Sequence, residues 1–223
     1  PLFTDPDVSS KVPFIPNGVT ADFIAGQQGY SREELDAYAA ASHDKAALAT
    51  EKGYFKRSLV PVKNELGDVL LSDDELIRPG SSIESMARLN PSFEALGAQG
   101  SDELLCKSFP EVDHIPHHHH PGNSPGMVDG ASLALLATGG MAASLGLPVR
   151  AEIIGFSSKS AAAIEGLTGG YAAAKDGLER TGIAGEDIDL WEFNEGFAAT
   201  AMNFAKQLDV PLDRYNVNGG GIA

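Results

Sequence analysis

Beyond Gly126 the chain alternates short apolar runs with stretches of helical period, and this succession narrows the possible folds more than any other feature. Ala131-Ser132-Leu133-Ala134-Leu135-Leu136-Ala137 is nearly all apolar or small, the pattern of a strand buried on both faces. An Ala-rich helix to Leu145 is predicted next, then a strand over 149–156, a helix over 170–180, a strand over 188–193 and a helix over 195–208. Strands and helices in such succession predict a layered α/β sheet.

The first half reads differently. Pro13, Pro16 and Gly18 predict an extended entry loop to about residue 19, with Thr20 as the cap of a short helix carrying Phe23 and Ile24. Ser31-Arg32-Glu33-Glu34 is a capping-box pattern, and Leu35, Tyr38, Ala39, Ser42, Ala46 and Ala49 recur at spacings of three and four, so a long helix is predicted to end at Gly53. Two short extended segments, 59–63 and 69–71, flank a polar turn, and Pro61 favours an edge position. Another short helix is predicted over 83–89, and 90–126 reads as a long irregular stretch of the kind that carries binding loops.

Composition limits the partners. The net charge of −15 argues against a nucleic-acid or anionic-membrane surface. No apolar run reaches the ~18 residues of a membrane span. The start, Pro1-Leu2-Phe3-Thr4, lacks the basic and apolar regions of a signal peptide. The single cysteine, Cys106, forms no intrachain disulfide and fits a reducing compartment, so a soluble cytoplasmic protein is expected.

Chemistry is concentrated in three places. Asn194-Glu195 falls between a predicted strand and a predicted helix, at the edge of an open α/β sheet where ligands bind. Spacing alone favours a structural role over a functional one, with Asn194 capping the helix and Glu195 complementing its dipole. Asn218-Gly219-Gly220-Gly221 lacks both the Lys-Ser/Thr of a P-loop and the spacing of a dinucleotide fingerprint. Gly122-Asn123-Ser124-Pro125-Gly126-Met127-Val128-Asp129-Gly130-Ala131 is the third.

Together these segments resemble the thiolase family, over nearly all 223 residues as an internal segment. Asn194-Glu195-Gly196-Phe197-Ala198 is similar to the family's Asn-Glu-Ala-Phe-Ala, with Gly196 in place of Ala. Asn218 to Ala223 is similar to Asn-Gly-Gly-Ala-Ile-Ala, and Gly122 to Ala131 to Gly-Asn-Ser/Ala-Ser-Gly-x-x-Asp-Gly-Ala, with Pro125 at the serine that lines the pantetheine channel. The resemblance implies that Asn194 holds a water of the oxyanion hole, that Glu195 supports it, and that Ser124, Asn123, His120, Gly219 and Gly220 line the site for substrate and coenzyme A. The family's Gly-His-Pro turn is not among these residues, and Cys106 has neither family context for a nucleophilic cysteine; it reads as a partly buried small residue.

His117-His118-His119-His120 invites a metal reading. Four consecutive imidazoles held extended between Pro116 and Pro121 point in different directions, so a loop lining the site or facing solvent suits them better, and no metal site is expected. Lys52, Lys56, Arg57 and Lys63 read either as a solvated face or as a receiver of coenzyme phosphates.

The expected fold is therefore partial thiolase-type layered α/β, with a loop-rich α/β insertion over 1–116, the closing part of an N-terminal core domain over 117–148 and the first part of a C-terminal core domain over 149–223. The resemblance implies an acyl-CoA acetyltransferase of lipid metabolism and β-oxidation, working by reversible Claisen condensation or thiolysis of 3-ketoacyl-CoA through an acyl-cysteine outside this segment. It implies no cofactor beyond coenzyme A thioester as substrate, and a dimer or tetramer. The alternative is a non-catalytic CoA-ester binding or assembly module, or half of a split enzyme. A histidine-dependent metal protein is the remaining reading.

Overall fold

The computed structural model describes residues 5–9, 11–12 and 14–223; Pro1–Thr4, Ser10 and Pro13 of the predicted entry loop lie outside the described residues. A short helix α1 (Pro6–Ser9) precedes α2 (Asn17–Gln28) and α3 (Arg32–Lys52). The hairpin β1 (Val62–Lys63) and β2 (Val69–Leu71) follows, then α4 (Ile83–Met86), α5 (Glu94–Leu96), a five-residue π-turn (Gly97–Ser101) and α6 (Asp102–Ser108). The second half carries α7 (Gly139–Ser144), α8 (Gly169–Thr181) and α9 (Ala198–Gln207).

The capping box forms as its spacing demands. Glu34 N–H donates to Ser31 Oγ at 3.2 Å, Ser31 N–H donates to Glu34 Oε2 at 2.8 Å, and Gly53 closes α3 with φ of 69°. Thr20, in contrast, caps nothing: α2 begins three residues earlier behind Pro16, and Thr20 is buried inside it. The rigid φ of Pro16 starts this helix without a side-chain acceptor. The two extended segments pair antiparallel, and the irregular 90–126 stretch contains α5 and α6, which its Pro and Gly content hid.

α9 packs on α2 and α3 and forms the centre of the molecule. Ala198, Ala199 and Ala201 are fully buried there, and their small side chains let three helices approach closely. One cluster joins Ile24 and Ala25 of α2, Leu35 and Ala39 of α3, Met86 and Ile222; a second joins Val19 and Phe23 to Leu105 and Ile115; a third joins Phe204 to Val210 and Tyr215. The rings of Phe193 and Phe204 stack at 4.1 Å.

The predicted strands over 131–137 and 149–156 correct to irregular backbone. Leu133 is 99% exposed and Phe156 82% exposed, and no strand pairs with either segment among the described residues. A strand needs a neighbour's donors and acceptors, and apolar sequence alone supplies none. Over 188–193 only Trp191 is bridged, parallel to Tyr215. Trp191 N–H donates to Arg214 O at 2.8 Å and Asn216 N–H to Trp191 O at 2.9 Å, which brings two of the three motif segments side by side.

Candidate active site

Asn194 and Glu195 stand on the turn before α9, whose N-cap is Phe197 and has no side-chain cap bond. Neither side chain therefore caps the helix. The two neighbours have opposite surroundings. Glu195 is 1% exposed, and four groups donate to its carboxylate: Tyr38 Oη at 2.8 Å and Asn216 Nδ2 at 3.1 Å to Oε1, Ser42 Oγ at 2.7 Å and Ile222 N–H at 3.1 Å to Oε2. A buried anion without a cation is tolerated when every oxygen is hydrogen-bonded in this way. Burial, reinforced by the Glu195 charge, pushes the Tyr38 phenol well above its ordinary pKa, so it remains a donor.

Asn194 is exposed, and its side chain makes no hydrogen bond among the described residues. Its Oδ1 is 3.4 Å from where a Cβ on Gly221 would stand, so the amide faces the glycine segment across a gap. That segment is anchored from below. Gly220 N–H donates to Ser42 Oγ at 3.1 Å, and Gly219, with φ of 80°, lies so close to α3 that a Cβ would meet Ser42 O at 2.6 Å. Asn216, itself at φ of 43°, closes the frame: its Oδ1 accepts Phe193 N–H at 2.9 Å and its Nδ2 donates to Phe193 O at 3.0 Å. A cavity of about 540 Å³ lined by Tyr38, Ser42, Glu195, Met202 and Leu212 opens beside the network, and Asn194 does not line it.

The histidine run buckles onto α2 and α3 through two aspartates. Asp22 Oδ1 accepts the His118 and His119 N–H groups and lies 2.7 Å from His119 Nδ1, while Oδ2 is 2.9 Å from His117 Nδ1. Asp36 Oδ1 accepts from Asn123 Nδ2 at 2.8 Å and faces His120 Nε2 at 2.8 Å, while Oδ2 accepts from Arg32 Nε at 2.8 Å. Burial raises both carboxyls, but the bonds from His119 to Asp22, and from His120 and Arg32 to Asp36, outweigh it and hold both below the ordinary 3.8.

Each buried imidazole is fixed as one tautomer. His119 Nε2 accepts Ala199 N–H at 3.3 Å and His120 Nδ1 accepts Gly122 N–H at 2.9 Å, so the opposite nitrogen of each ring carries the proton given to aspartate. Asn123 is equally engaged, with Oδ1 accepting His120 N–H and Nδ2 donating to Asp36 and His118 O. The side chains of His120 and Asn123 are thus fully buried, with their polar atoms engaged within the protein. Ser124 differs: its Oγ is buried with no partner among the described residues. No group of three or more His, Cys, Asp or Glu side chains is placed to hold a metal ion among the described residues. No helix of the described residues is long and apolar enough to cross a membrane.

Of the predicted site residues, Asn194, Glu195, Gly219 and Gly220 converge; Asn123, Ser124 and His120 form the neighbouring loop, joined to the start of α9 where Ala198 N–H donates to Asn123 O at 3.2 Å. Sequence reasoning missed Tyr38 and Ser42 as site residues, because it counted them only as positions on the buried face of α3. Asn216, two residues upstream of the Asn218-Gly219-Gly220-Gly221 segment, carried no sequence signal for a site role.

Comparison with known proteins identifies the family. Residues 6–101 match the thiolase N-terminal domain and residues 147–223 the thiolase C-terminal domain, together most of the chain. An acetyl-CoA acetyltransferase of Thiocystis violacea is 38% identical over 210 residues, covering 92% of this chain and 48% of the relative. A 3-ketoacyl-CoA thiolase of Aliivibrio fischeri is 36% identical over 215 residues, covering 92% of this chain and 50% of the relative. The chain thus spans about half the length of the curated relatives it matches. The dimeric peroxisomal thiolase of Saccharomyces cerevisiae superposes with a TM-score of 0.84 at 28% identity, over 99% of this chain and 52% of that one. The acetyl-CoA acetyltransferase of Bacillus anthracis does so with a TM-score of 0.77 at 32% identity, over 95% of this chain and 50% of that one. The α/β arrangement is that of part of the thiolase fold, both thiolase domains are matched in order, and the chain belongs to the thiolase family.

Proposed function

We propose that this chain is part of an acyl-CoA acetyltransferase that interconverts 3-ketoacyl-CoA with shorter acyl-CoA by Claisen condensation and thiolysis. The observation that carries the reading is Asn194: exposed, capping no helix, and set against Gly221 by a fully bonded buried carboxylate beneath it. A side-chain amide left unbonded at this position is free to bind a water whose hydrogen faces the thioester oxygen. Negative charge grows on that oxygen when the α-carbon loses its proton, and a preorganised dipole stabilises it without rearrangement.

Within this reading Glu195 supports Asn194, Gly219 and Gly220 shape the floor, and Ser124 offers its unpartnered hydroxyl to substrate or coenzyme A. His120 and Asn123 shape the loop that presents Ser124. The acyl-cysteine and the histidine of the Gly-His-Pro turn belong to the parent protein outside these 223 residues. Coenzyme A enters as substrate, with no resident cofactor. Residues 1–116 act as the insertion domain, 117–148 as the closing part of the N-terminal core and 149–223 as the start of the C-terminal core. A cytoplasmic dimer or tetramer completes the reading, supported by the dimeric state of the yeast relative.

The test is a CoA-dependent thiolysis assay on acetoacetyl-CoA with the full-length protein. Turnover that covalent blocking of a cysteine other than Cys106 abolishes is the expected result. Binding of acetoacetyl-CoA without turnover would replace this reading with a non-catalytic binding or assembly module.

A further inference from the structure

Tyr38 and Ser42 are four residues apart on α3 and so project from one face of that helix. Both hydroxyls are directed at Glu195, one at each oxygen, with distances of 2.8 and 2.7 Å. Glu195 immediately follows Asn194. On the other side of the gap, Ser42 Oγ accepts Gly220 N–H and Glu195 Oε2 accepts Ile222 N–H, at 3.1 Å each, so the residues flanking Gly221 are both held by the same network. Two hydroxyls from a distant helix therefore join the network that holds the backbone on both sides of the Asn194 to Gly221 gap, Tyr38 through Glu195 and Ser42 through Glu195 and Gly220.

We propose that Tyr38 and Ser42 are positioning residues for Asn194: through Glu195 and Gly220 they set the separation between the Asn194 amide and the glycine segment. This rests on the role proposed for Asn194 above. Ser42 has the larger part, because it alone bridges the two sides, donating to Glu195 and accepting from Gly220. Tyr38 holds only the Glu195 side. Both hydroxyls donate to Glu195, so on this proposal the effect of each passes through Asn194.

The decisive experiment is a double-mutant cycle in the full-length protein. Ser42→Ala and Tyr38→Phe each remove one oxygen and keep the rest of the side chain. Each is expected to lower kcat by about 10- to 100-fold, as loss of an outer-shell partner commonly does, with KM changed less than about twofold. In an Asn194→Ala background, Ser42→Ala should cost nothing further, because the group it positions is gone. Equal losses in both backgrounds would overturn the proposal and leave Ser42 a folding residue.

A second readout does not need turnover. The Asn194 side-chain amide resonances should shift in both variants, and hydrogen exchange at Gly220 should accelerate in Ser42→Ala. Should the wild-type protein bind acetoacetyl-CoA without turning it over, the acetyltransferase reading fails, and these spectra still decide the positioning claim. Unmoved Asn194 resonances would overturn it by themselves.

Discussion

Nδ1 of His119 lies 2.7 Å from Oδ1 of Asp22, with both side chains fully buried. The same oxygen accepts the backbone N–H groups of His118 and His119, so one carboxylate organises the turn of the histidine run against α2. With His117 Nδ1 on the other oxygen, replacing this carboxylate leaves four donors without their acceptor, those of His119 in a fully buried position. Asp22→Ala is expected to destabilise the protein by about 3–5 kcal/mol, the range for breaking a buried charged contact. Chemical denaturation would check this, and a loss below about 1 kcal/mol would mean that the run is held by packing instead.

The histidines differ in the sign of their contribution with pH. Burial lowers His117, but hydrogen bonds to Asp22 and Asp102 outweigh it and hold the imidazole above its ordinary 6.5. Burial, with the Arg78 charge next, holds His43 below 6.5, and burial likewise lowers His118. A raised folded pKa stabilises below the unfolded value, and that contribution disappears as pH rises through the folded pKa. The depressed imidazoles contribute above 6.5 and lose it as pH falls. Stability should therefore peak near 6.5 within the histidine range. His117→Gln should flatten the alkaline side of the peak and spare the acid side, which urea midpoints from about pH 5 to about pH 8 would reveal. An alkaline limb of unchanged slope would sink the assignment.

How far the sequence disclosed this arrangement depended on the range of the interactions. The capping box of α3 and the closing Gly53 are local, and Ser31, Glu34 and Gly53 state them within the helix itself. Asn194-Glu195 was legible as a motif, yet the division of labour between an exposed amide and a buried carboxylate was not, because Tyr38 and Ser42 lie more than 150 residues away in sequence. The segments over 131–137 and 149–156 have the composition of buried strands, but pairing partners decide that, and an apolar run does not name them. The His117 to His120 run was ambiguous for a similar reason: only Asp22 and Asp36, from two other helices, determine what each ring does.

Gly220 should tolerate no side chain. A Cβ there would overlap the Glu195 carboxyl group, whose own bonds to Tyr38 and Ser42 prevent it from withdrawing. Gly220→Ala is expected to cost about 1–3 kcal/mol through overpacking. Gly140 of α7 has nothing within 4 Å of its would-be Cβ, so Gly140→Ala should be neutral or stabilising by up to about 1 kcal/mol. Thermal unfolding of the two variants side by side distinguishes crowding at one site from a general intolerance of alanine.

Cys106 should prove inert. It packs on α6 against the cluster of Val19, Phe23 and Leu105, and burial, with the charges of Asp102 and Asp113, pushes its thiol above the ordinary range. A nucleophilic cysteine needs the opposite environment. Cys106→Ser is expected to leave thiolysis by the full-length protein within about twofold of wild type, since no transition-state interaction is removed. A large loss of kcat with folding intact would instead place this thiol in the chemistry.

Asn194 and Glu195, adjacent in the chain, should separate cleanly in their mutational phenotypes. Asn194 is exposed and has no side-chain bond among the described residues, so Asn194→Ala removes no folding interaction. On the role proposed for Asn194, the expected loss in the full-length protein falls on kcat, by about 10²–10³, the range for one oxyanion-hole donor, with the melting temperature unchanged. Glu195→Ala orphans Tyr38, Ser42, Asn216 and the Ile222 N–H in one step, and should lower stability by several kcal/mol as well as activity. Measuring Tm and kcat for both variants tests the division directly. If Asn194→Ala destabilised the fold as much as Glu195→Ala, the exposed amide would be structural, and the oxyanion role assigned to it would have to pass to another donor.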